Sequence, residues 1–323
     1  MKAIVRSFVV AALIILPDRC WAQAVAYPTH PVRLIVPFGA GGPTDVIARV
    51  VAQKLSDRLG QQFYVENLPG AGGNIGAAQA AKAPADGYTI LVVSTGFIIN
   101  PSLYAKGVPY DVKDFAPVTL VAASPNVITV NPAVPAHSVQ ELIGLIRANP
   151  GKYSFAQPSN GSTPHLAGEM FKLSFALDLV AVPFNSAASA INSTIGGHTP
   201  IAFTALPPAI SNIKDGRLRA LAVLSLRHAA ALPDAPTAAE AGIPGHESDT
   251  LTGIVVPART PKEIIEQIHD EVKRLLALAE VKEKLDTLGF DPVGSTPAEF
   301  GERIKSESVK WSKIINQANI NIE

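Results

Sequence analysis

Four short stretches of this chain place glycine, hydroxyl and amide residues directly ahead of a helical pattern. They are Phe38-Gly39-Ala40-Gly41-Gly42-Pro43-Thr44-Asp45, Gly70-Ala71-Gly72-Gly73-Asn74, Ser94-Thr95-Gly96 and Ser159-Asn160-Gly161-Ser162-Thr163-Pro164-His165. A helix start presents unpaired N–H groups and the positive end of the helix dipole, so it binds an anion without lysine or arginine. The hydroxyls of Thr44, Ser94, Thr95, Ser159, Ser162 and Thr163 and the amide of Asn74 add neutral hydrogen bonds suited to a carboxylate. One such loop is ordinary structure, whereas several in both halves of a chain point to a ligand cleft at the ends of parallel strands. His165 has two readings: a donor to the anion, or a helix-start histidine satisfied by backbone.

Other chemistries find less support. Gly39-x-Gly41-Gly42 has Thr44 where a dinucleotide fingerprint needs its third glycine, the second loop has Ile75 there, and neither continues into Gly-Lys-Ser/Thr. The seven histidines show neither HxH nor HExxH spacing, so no metal site is expected. Ser211-Asn212-Ile213-Lys214 matches an acylating Ser-x-x-Lys, yet its usual companion motifs and a Gly-x-Ser-x-Gly elbow are missing. No catalytic residue and no cofactor are therefore expected.

The elements that must position the loops follow a βα order. Strands are expected at Arg33 to Pro37, from Phe63 to Glu66, at Thr89 to Val93, Tyr153 to Ala156, Leu179 to Val182, Ile201 to Thr204 and Leu218 to Leu224. Val46, Ile47, Val50, Val51, Leu55 and Leu59 recur at helical spacing before a C-cap glycine, Gly60. A helix to about Ala83 follows Asn74. Capping boxes are read at Ser138-Val139-Gln140-Glu141, Thr260-Pro261-Lys262-Glu263 and Thr296-Pro297-Ala298-Glu299. Phe115 to Val130, apolar but interrupted by Pro117 and Pro125, and Gly253 to Pro257 are expected to cross between two lobes.

The 323 residues carry 27 basic and 27 acidic side chains, which excludes a basic footprint for nucleic acid. Met1 to Ala24 has the layout of a secretory signal peptide: Lys2 and Arg6, an apolar run from Phe8 to Leu16, and a small-residue end that allows cleavage near Ala22 or Ala24. Nine apolar residues fall short of the roughly 20 that span a bilayer. Cleavage after Ala24 removes the single cysteine, Cys20, and leaves 24 basic against 26 acidic residues. With so little net charge, any anion must be held locally.

These residues resemble the Bug family, the periplasmic substrate-binding proteins of tripartite tricarboxylate transporters. The likeness runs through the first two loops, Ala83-Pro84-Ala85-Asp86-Gly87-Tyr88-Thr89, Gly161 to Leu166, Gly216 to Val223, Leu232 to Thr237 with Glu240-Ala241-Gly242, and Pro257-Ala258-Arg259-Thr260-Pro261. It covers essentially the whole mature chain. The resemblance implies an α/β, two-lobed periplasmic binding protein fold of type II-like form, with two doubly wound sheets joined by two crossing segments. Residues 25–124 and 250–323 would form one lobe, 125–249 the other, after a signal peptide at 1–24. It further implies that Phe38, Gly39, Gly42, Thr44, Asp45 and Asn74 wall one side of the cleft. Ser159, Ser162, Thr163 and His165 would form the opposite wall, with Ser94 and Thr95 at the matching strand end. The family often has Pro-Tyr-Lys-Gly where Pro183-Phe184-Asn185-Ser186 stands, and Phe-Asp where Phe203-Thr204 stands. Losing that lysine and aspartate at Asn185 and Thr204, beside Phe184, points to a mono- or dicarboxylate with a neutral or apolar remainder rather than an amino acid. The partners implied are this acid and the membrane permease subunits, in the periplasm. A secreted α/β enzyme acting on an organic acid and a ligand sensor without a transport role are the alternative readings.

Overall fold

The structure, a computed structural model, describes residues 27–322. The signal peptide expected at residues 1–24 lies outside the described residues. Strands and helices alternate from the start: β1 (Val32–Val36), α1 (Pro43–Leu59), β2 (Phe63–Asn67), α2 (Asn74–Ala81), β3 (Thr89–Ser94) and α3 (Thr95–Leu103). The long β4 (Phe115–Val130) leads to α4 (Val139–Arg147), β5 (Ser154–Gln157), α5 (Thr163–Ser174), β6 (Val180–Pro183) and α6 (Ala187–Ile195). Then come β7 (Ile201–Ala205), α7 (Leu206–Lys214), β8 (Arg219–Val223) and β9 (Asp249–Pro257). The chain closes with α8 (Lys262–Leu276), α9 (Ala279–Thr287), the short β10 (Asp291–Pro292) and α10 (Pro297–Ala318).

The strands form one path, β2-β1-β3-β9-β4-β7-β5-β6, with β8 and β10 also paired to β4. β1, β2 and β3 are mutually parallel, as are β5, β6 and β7. β4 joins the two parallel sets. From Phe115 to Pro125 it runs antiparallel to β9, and from Asn126 to Val130 antiparallel to β7. The prolines expected to interrupt this segment are absorbed into a continuous strand. A proline removes one ladder N–H and is tolerated at irregularities, and the register slips just after Pro117. Pro125 stands where the strand changes partners.

Each half-sheet is covered on both faces, as buried parallel strands require. Leu34, Val36, Ile90 and Ile254 pack under Ile47, Val51, Leu55, Ile268 and Val272 of α1 and α8. On the other face Ile35, Leu91 and Val255 meet Ala77, Phe97, Phe300 and Ile304. In the second half, Ile128, Phe155, Phe203 and Leu221 pack against Leu142, Ile146, Ala167 and Phe171. A further cluster joins the two halves: Ile99 and Leu103 of α3, Leu166 of α5, and Trp311 and Ile315 of α10.

Local signals explain most ends. Gly60 adopts φ 70° and closes α1, and Thr296 forms the full capping box of α10 with Glu299. The box read at Thr260 does not form. Its hydroxyl donates instead to the Pro257 carbonyl at 2.8 Å, and α8 starts without a side-chain cap. Residues Ala279–Thr287 fold into α9, a helix absent from the sequence expectations.

β9 passes α10 so closely that residue 253 has no room for a side chain. A Cβ on Gly253 would stand 2.2 Å from Cζ of the buried Phe300. Gly253→Ala is therefore expected to lower unfolding stability by about 1–3 kcal/mol through overpacking. Phe300→Leu in the same chain should recover part of that loss in urea titrations, and strictly additive losses would contradict the contact.

Candidate functional site

The topology brings the C-terminal ends of the parallel strands in both halves to one line. Ser94, the last residue of β3, pairs with Thr252 near the start of β9, and Ala205, the last of β7, pairs with Asn126. The partner change of β4 and the start of β9 lie between them, at Ser124 to Asn126 and Ser248 to Thr250. Ligands in open α/β sheets bind beyond strand C-termini, because loops and helix starts there expose backbone donors. Here two such sets converge.

On one side stands the loop after β1. Its shape is held by Asp45, which is 2% exposed and accepts from Gly41 N–H at 2.8 Å, Arg49 Nε at 2.9 Å and Asn67 Nδ2 at 2.8 Å. Asn67 also donates to the Phe38 carbonyl at 3.0 Å. Burial pushes the Asp45 carboxyl up, but these three donors outweigh it and hold the group below its ordinary range. The Asp45 charge thus organises the loop from Phe38 to Gly42 and is matched by Arg49. Thr44 is 6% exposed, and among the described residues its hydroxyl has no hydrogen-bond partner. Gly39 is exposed and Gly42 half-buried along this rim.

The second loop lies against the first. Gly73 has φ 99°, and a Cβ there would meet Phe38 Cζ at 3.3 Å, so glycine permits both the turn and the close approach. Asn100 donates through Nδ2 to the Gly72 carbonyl at 3.0 Å and to Asn74 Oδ1 at 2.7 Å. That contact occupies the oxygen of the buried Asn74 and leaves its NH2 as the remaining donor. Pro37, Phe38, Gly72, Gly73, Ser94 and Asn100 line one narrow crevice.

Ser94 and Thr95 divide their tasks. Ser94 caps α3 by accepting from Gly96 N–H at 3.3 Å, which leaves its own proton available. Thr95 is 1% exposed; its hydroxyl accepts from Leu251 N–H at 2.8 Å and donates to the Asp249 carbonyl at 3.4 Å. The same Ser-Thr pattern recurs at α5. Ser162 accepts from His165 N–H and donates to the Ser159 carbonyl, while Thr163 meets the Thr250 hydroxyl at 2.7 Å.

The structure gives the His165 ring to backbone. Its Nδ1 accepts from Gly161 N–H at 3.0 Å, which fixes the proton on Nε2. Burial holds this imidazole below its ordinary value of 6.5, against the opposing pull of Glu169. Phe184 packs on Ala156, Ala190 and Ala202, and its N–H donates to the Gln157 carbonyl at 2.9 Å. Asn185 is exposed beside it, and so is Ser159 after the neighbouring strand β5. Thr204 is fully buried, and its hydroxyl has no partner among the described residues.

Sequence reasoning missed Gln157, Ser124, Asn126 and Thr250. Gln157 Oε1 and Ser124 Oγ are also buried without a partner, a state that costs about 1–3 kcal/mol per group unless something answers it. The available signal was a polar residue closing an apolar strand run, as Gln157 does after Phe155-Ala156. Asp249, at the start of β9, is paired with Arg303 of α10 at 3.1 Å. Among the described residues no cluster of His, Cys, Asp and Glu is arranged to hold a metal, and no helix is long and apolar enough to cross a membrane.

Two half-sheets joined by crossing strands, with helix starts from both halves meeting at the junction, define a two-lobed solute receptor of the periplasmic binding protein class. The comparisons place the chain within that class. Residues 47–320 match the model of the tripartite tricarboxylate transporter family receptor, TctC, and the chain belongs to this family. It is 37% identical over 298 residues to the UPF0065 protein in the tcbD-tcbE intergenic region of Pseudomonas sp. strain P51, covering 92% of this chain and 88% of that one. It is 33% identical to Protein BugT of Bordetella pertussis, covering 100% and 98%. The solved structure of R. palustris Rpa4515 with adipate aligns with a TM-score of 0.82 at 34% identity over 91% of this chain and 99% of that one. MatC (Rpa3494) from Rhodopseudomonas palustris with bound malate aligns with a TM-score of 0.77 at 26% identity, covering 90% and 100%.

Two measurements test the loop chemistry. Asp45→Ala should cost about 2 kcal/mol of unfolding stability, the scale of hydrogen bonds to a charged group. Arg49→Ala, at an exposed partner, should cost less than about 1 kcal/mol; equal losses would contradict the loop-organising role of Asp45. His165 has a folded pKa below its unfolded value, so its stabilising contribution is intact above pH 6.5 and is lost as pH falls below 6.5 and through the lower folded pKa. His165→Gln should flatten the decline in melting temperature between about pH 7 and pH 5, and an unchanged slope would count against a buried neutral ring.

Proposed function

We propose that this chain is a periplasmic receptor that closes on a small mono- or dicarboxylate with a neutral or apolar remainder and delivers it to the permease subunits of a tripartite tricarboxylate transporter. The reading includes export through a signal peptide at residues 1–24. It also divides the mature chain into one lobe of residues 25–124 and 250–323 and another of residues 125–249. The partner change of β4 at Pro125 and the start of β9 at Asp249 support that division.

One observation carries the ligand assignment: the converging strand ends offer an anion donors without charge. The first turn of α1 presents the N–H groups of Thr44 and Asp45, which position alone leaves without intrahelical partners. The Thr44 and Ser94 hydroxyls and the Asn74 amide stand beside them. The carboxylate of Asp45 is matched by Arg49 and that of Asp249 by Arg303, so neither is left to hold an ammonium group. Asn185 and Thr204 supply neutral polarity where the family often carries lysine and aspartate. Adipate and malate in the related structures are small dicarboxylates of the same kind.

Binding selects the closed arrangement, because only there do both lobes reach the ligand. The receptor binds and releases its ligand unchanged; a secreted enzyme would turn over bound acid within hours.

A thermal-shift screen of the mature chain against mono-, di- and tricarboxylates and free amino acids tests the assignment. At a concentration 100-fold above Kd a ligand adds about 2.7 kcal/mol to folding stability, which raises the melting temperature. Carboxylates such as adipate should shift it and glutamate should not. A tight glutamate complex beside millimolar or weaker affinity for every simple organic acid overturns the reading. Thr44→Ala should weaken the bound carboxylate by about 1–2 kcal/mol in titration calorimetry. Unchanged affinity would move the site away from α1.

A further inference from the structure

Thr163 and Thr95 occupy equivalent places, each the first residue of a helix whose N-cap is a serine, and both reach the stretch of β9 from Asp249 to Leu251. Their reach differs in one respect. Thr95 binds backbone at Asp249 and Leu251, within the set of strands to which α3 itself belongs. Thr163 comes from α5, which packs on the other half-sheet, and meets the Thr250 side chain at 2.7 Å. Thr250 Oγ1 in turn donates to Asn126 Oδ1 at 3.4 Å, and Asn126 Nδ2 donates to Ser248 Oγ at 2.6 Å. Asn126 is fully buried and Ser248 is 1% exposed, while their backbones are joined by Asn126 N–H to the Ser248 carbonyl at 2.8 Å.

The proton order follows from these partners. With the Thr250 proton directed to Asn126 Oδ1, the donor in the Thr163–Thr250 bond is Thr163. A hydroxyl has one proton, and in that arrangement Thr163 has none left for a ligand carboxylate. The neighbouring contacts reinforce the docking. Gly161, at φ 76°, lies so close to Leu103 that a Cβ would meet its Cδ2 at 2.0 Å, and Leu166 is buried with Trp311 of α10. Opening that separates the α5 start from β9 must break the Thr163–Thr250 bond, whereas the Thr95–Leu251 bond lies within one lobe.

We propose that Thr250 is a positioning residue for the ligand loop at residues 159–165: held by Asn126 and Ser248 in the crossing strands, it captures Thr163 and sets how far the two lobes stay closed. The lobe division proposed above underlies this role, but the role requires no particular ligand. Thr163 is then a closure contact rather than a ligand donor.

The test reads lobe separation without ligand. The mature chain is expected to be free of cysteine, so Gln79→Cys on α2 and Ala188→Cys on α6, both exposed, accept spin labels for interlobe distance measurement by double electron–electron resonance. Thr250→Val keeps the shape and removes the hydroxyl; it should raise the open-to-closed ratio about five-fold, the shift expected for one ordinary hydrogen bond. Thr250→Ser restores the hydroxyl and should return the parent distribution, which separates the role from packing. A Thr250→Val distribution identical to the parent, or an equal shift in Thr250→Ser, overturns the proposal. With adipate as the probe, Thr250→Val should also release ligand about five-fold faster. Failure of adipate to bind would fall on the ligand assignment, and the ligand-free distances would still decide the role of Thr250.

Discussion

The antiparallel pairing of β4 with β9 is the constraint on which the site depends. β4 is long enough to join both parallel strand sets, and β9 begins where β4 changes partners. Because β9 runs against β3 and β4 runs against β7, the C-terminal ends of both sets must point at the same line. Backbone hydrogen bonding thus creates a junction where helix starts from two directions face each other, before any side chain has chosen a ligand.

Side chains then decide which donors remain. Asp45, Asn67 and Asn100 spend their capacity on loop shape, and Asn100 occupies the Asn74 oxygen so that its NH2 remains as a donor. Ser162, His165 and Thr95 are satisfied by backbone, so they order the loops that expose their neighbours. What remains is a set of amides, hydroxyls and helix-start N–H groups. Such a set favours an anion through geometry and dipoles, with affinity that depends on how completely closure excludes water.

Much of the fold was legible because its signals are local. The helical spacing from Val46 to Leu59, the glycine at 60 and the box at Thr296 each act within one turn. The expectation for Thr260 differed because a nearby carbonyl, Pro257, competed successfully for its hydroxyl. The break anticipated at Pro117 and Pro125 became a strand, since pairing to β9 and β7 on either side of the irregularities outweighs the lost N–H groups. The loops were legible by residue type, but the division of labour inside them was not. Nothing local distinguishes Ser94, whose proton is free, from Thr95, whose hydroxyl is used by β9. That difference arises from pairing across more than 150 residues, and Thr250 and Asn126 entered the site by the same long-range route.

The claim that neutral groups at converging strand ends hold the ligand is tested most directly by a crystal structure of the mature chain grown with its best-binding carboxylate. Carboxylate oxygens within hydrogen-bond reach of the first turn of α1, Ser94 Oγ and Asn74 Nδ2, with the Asp45–Arg49 pair intact, are the predicted result. A lysine or arginine side chain clasping the carboxylate, or a ligand seated away from the β1, β3, β5 and β7 ends, would contradict it.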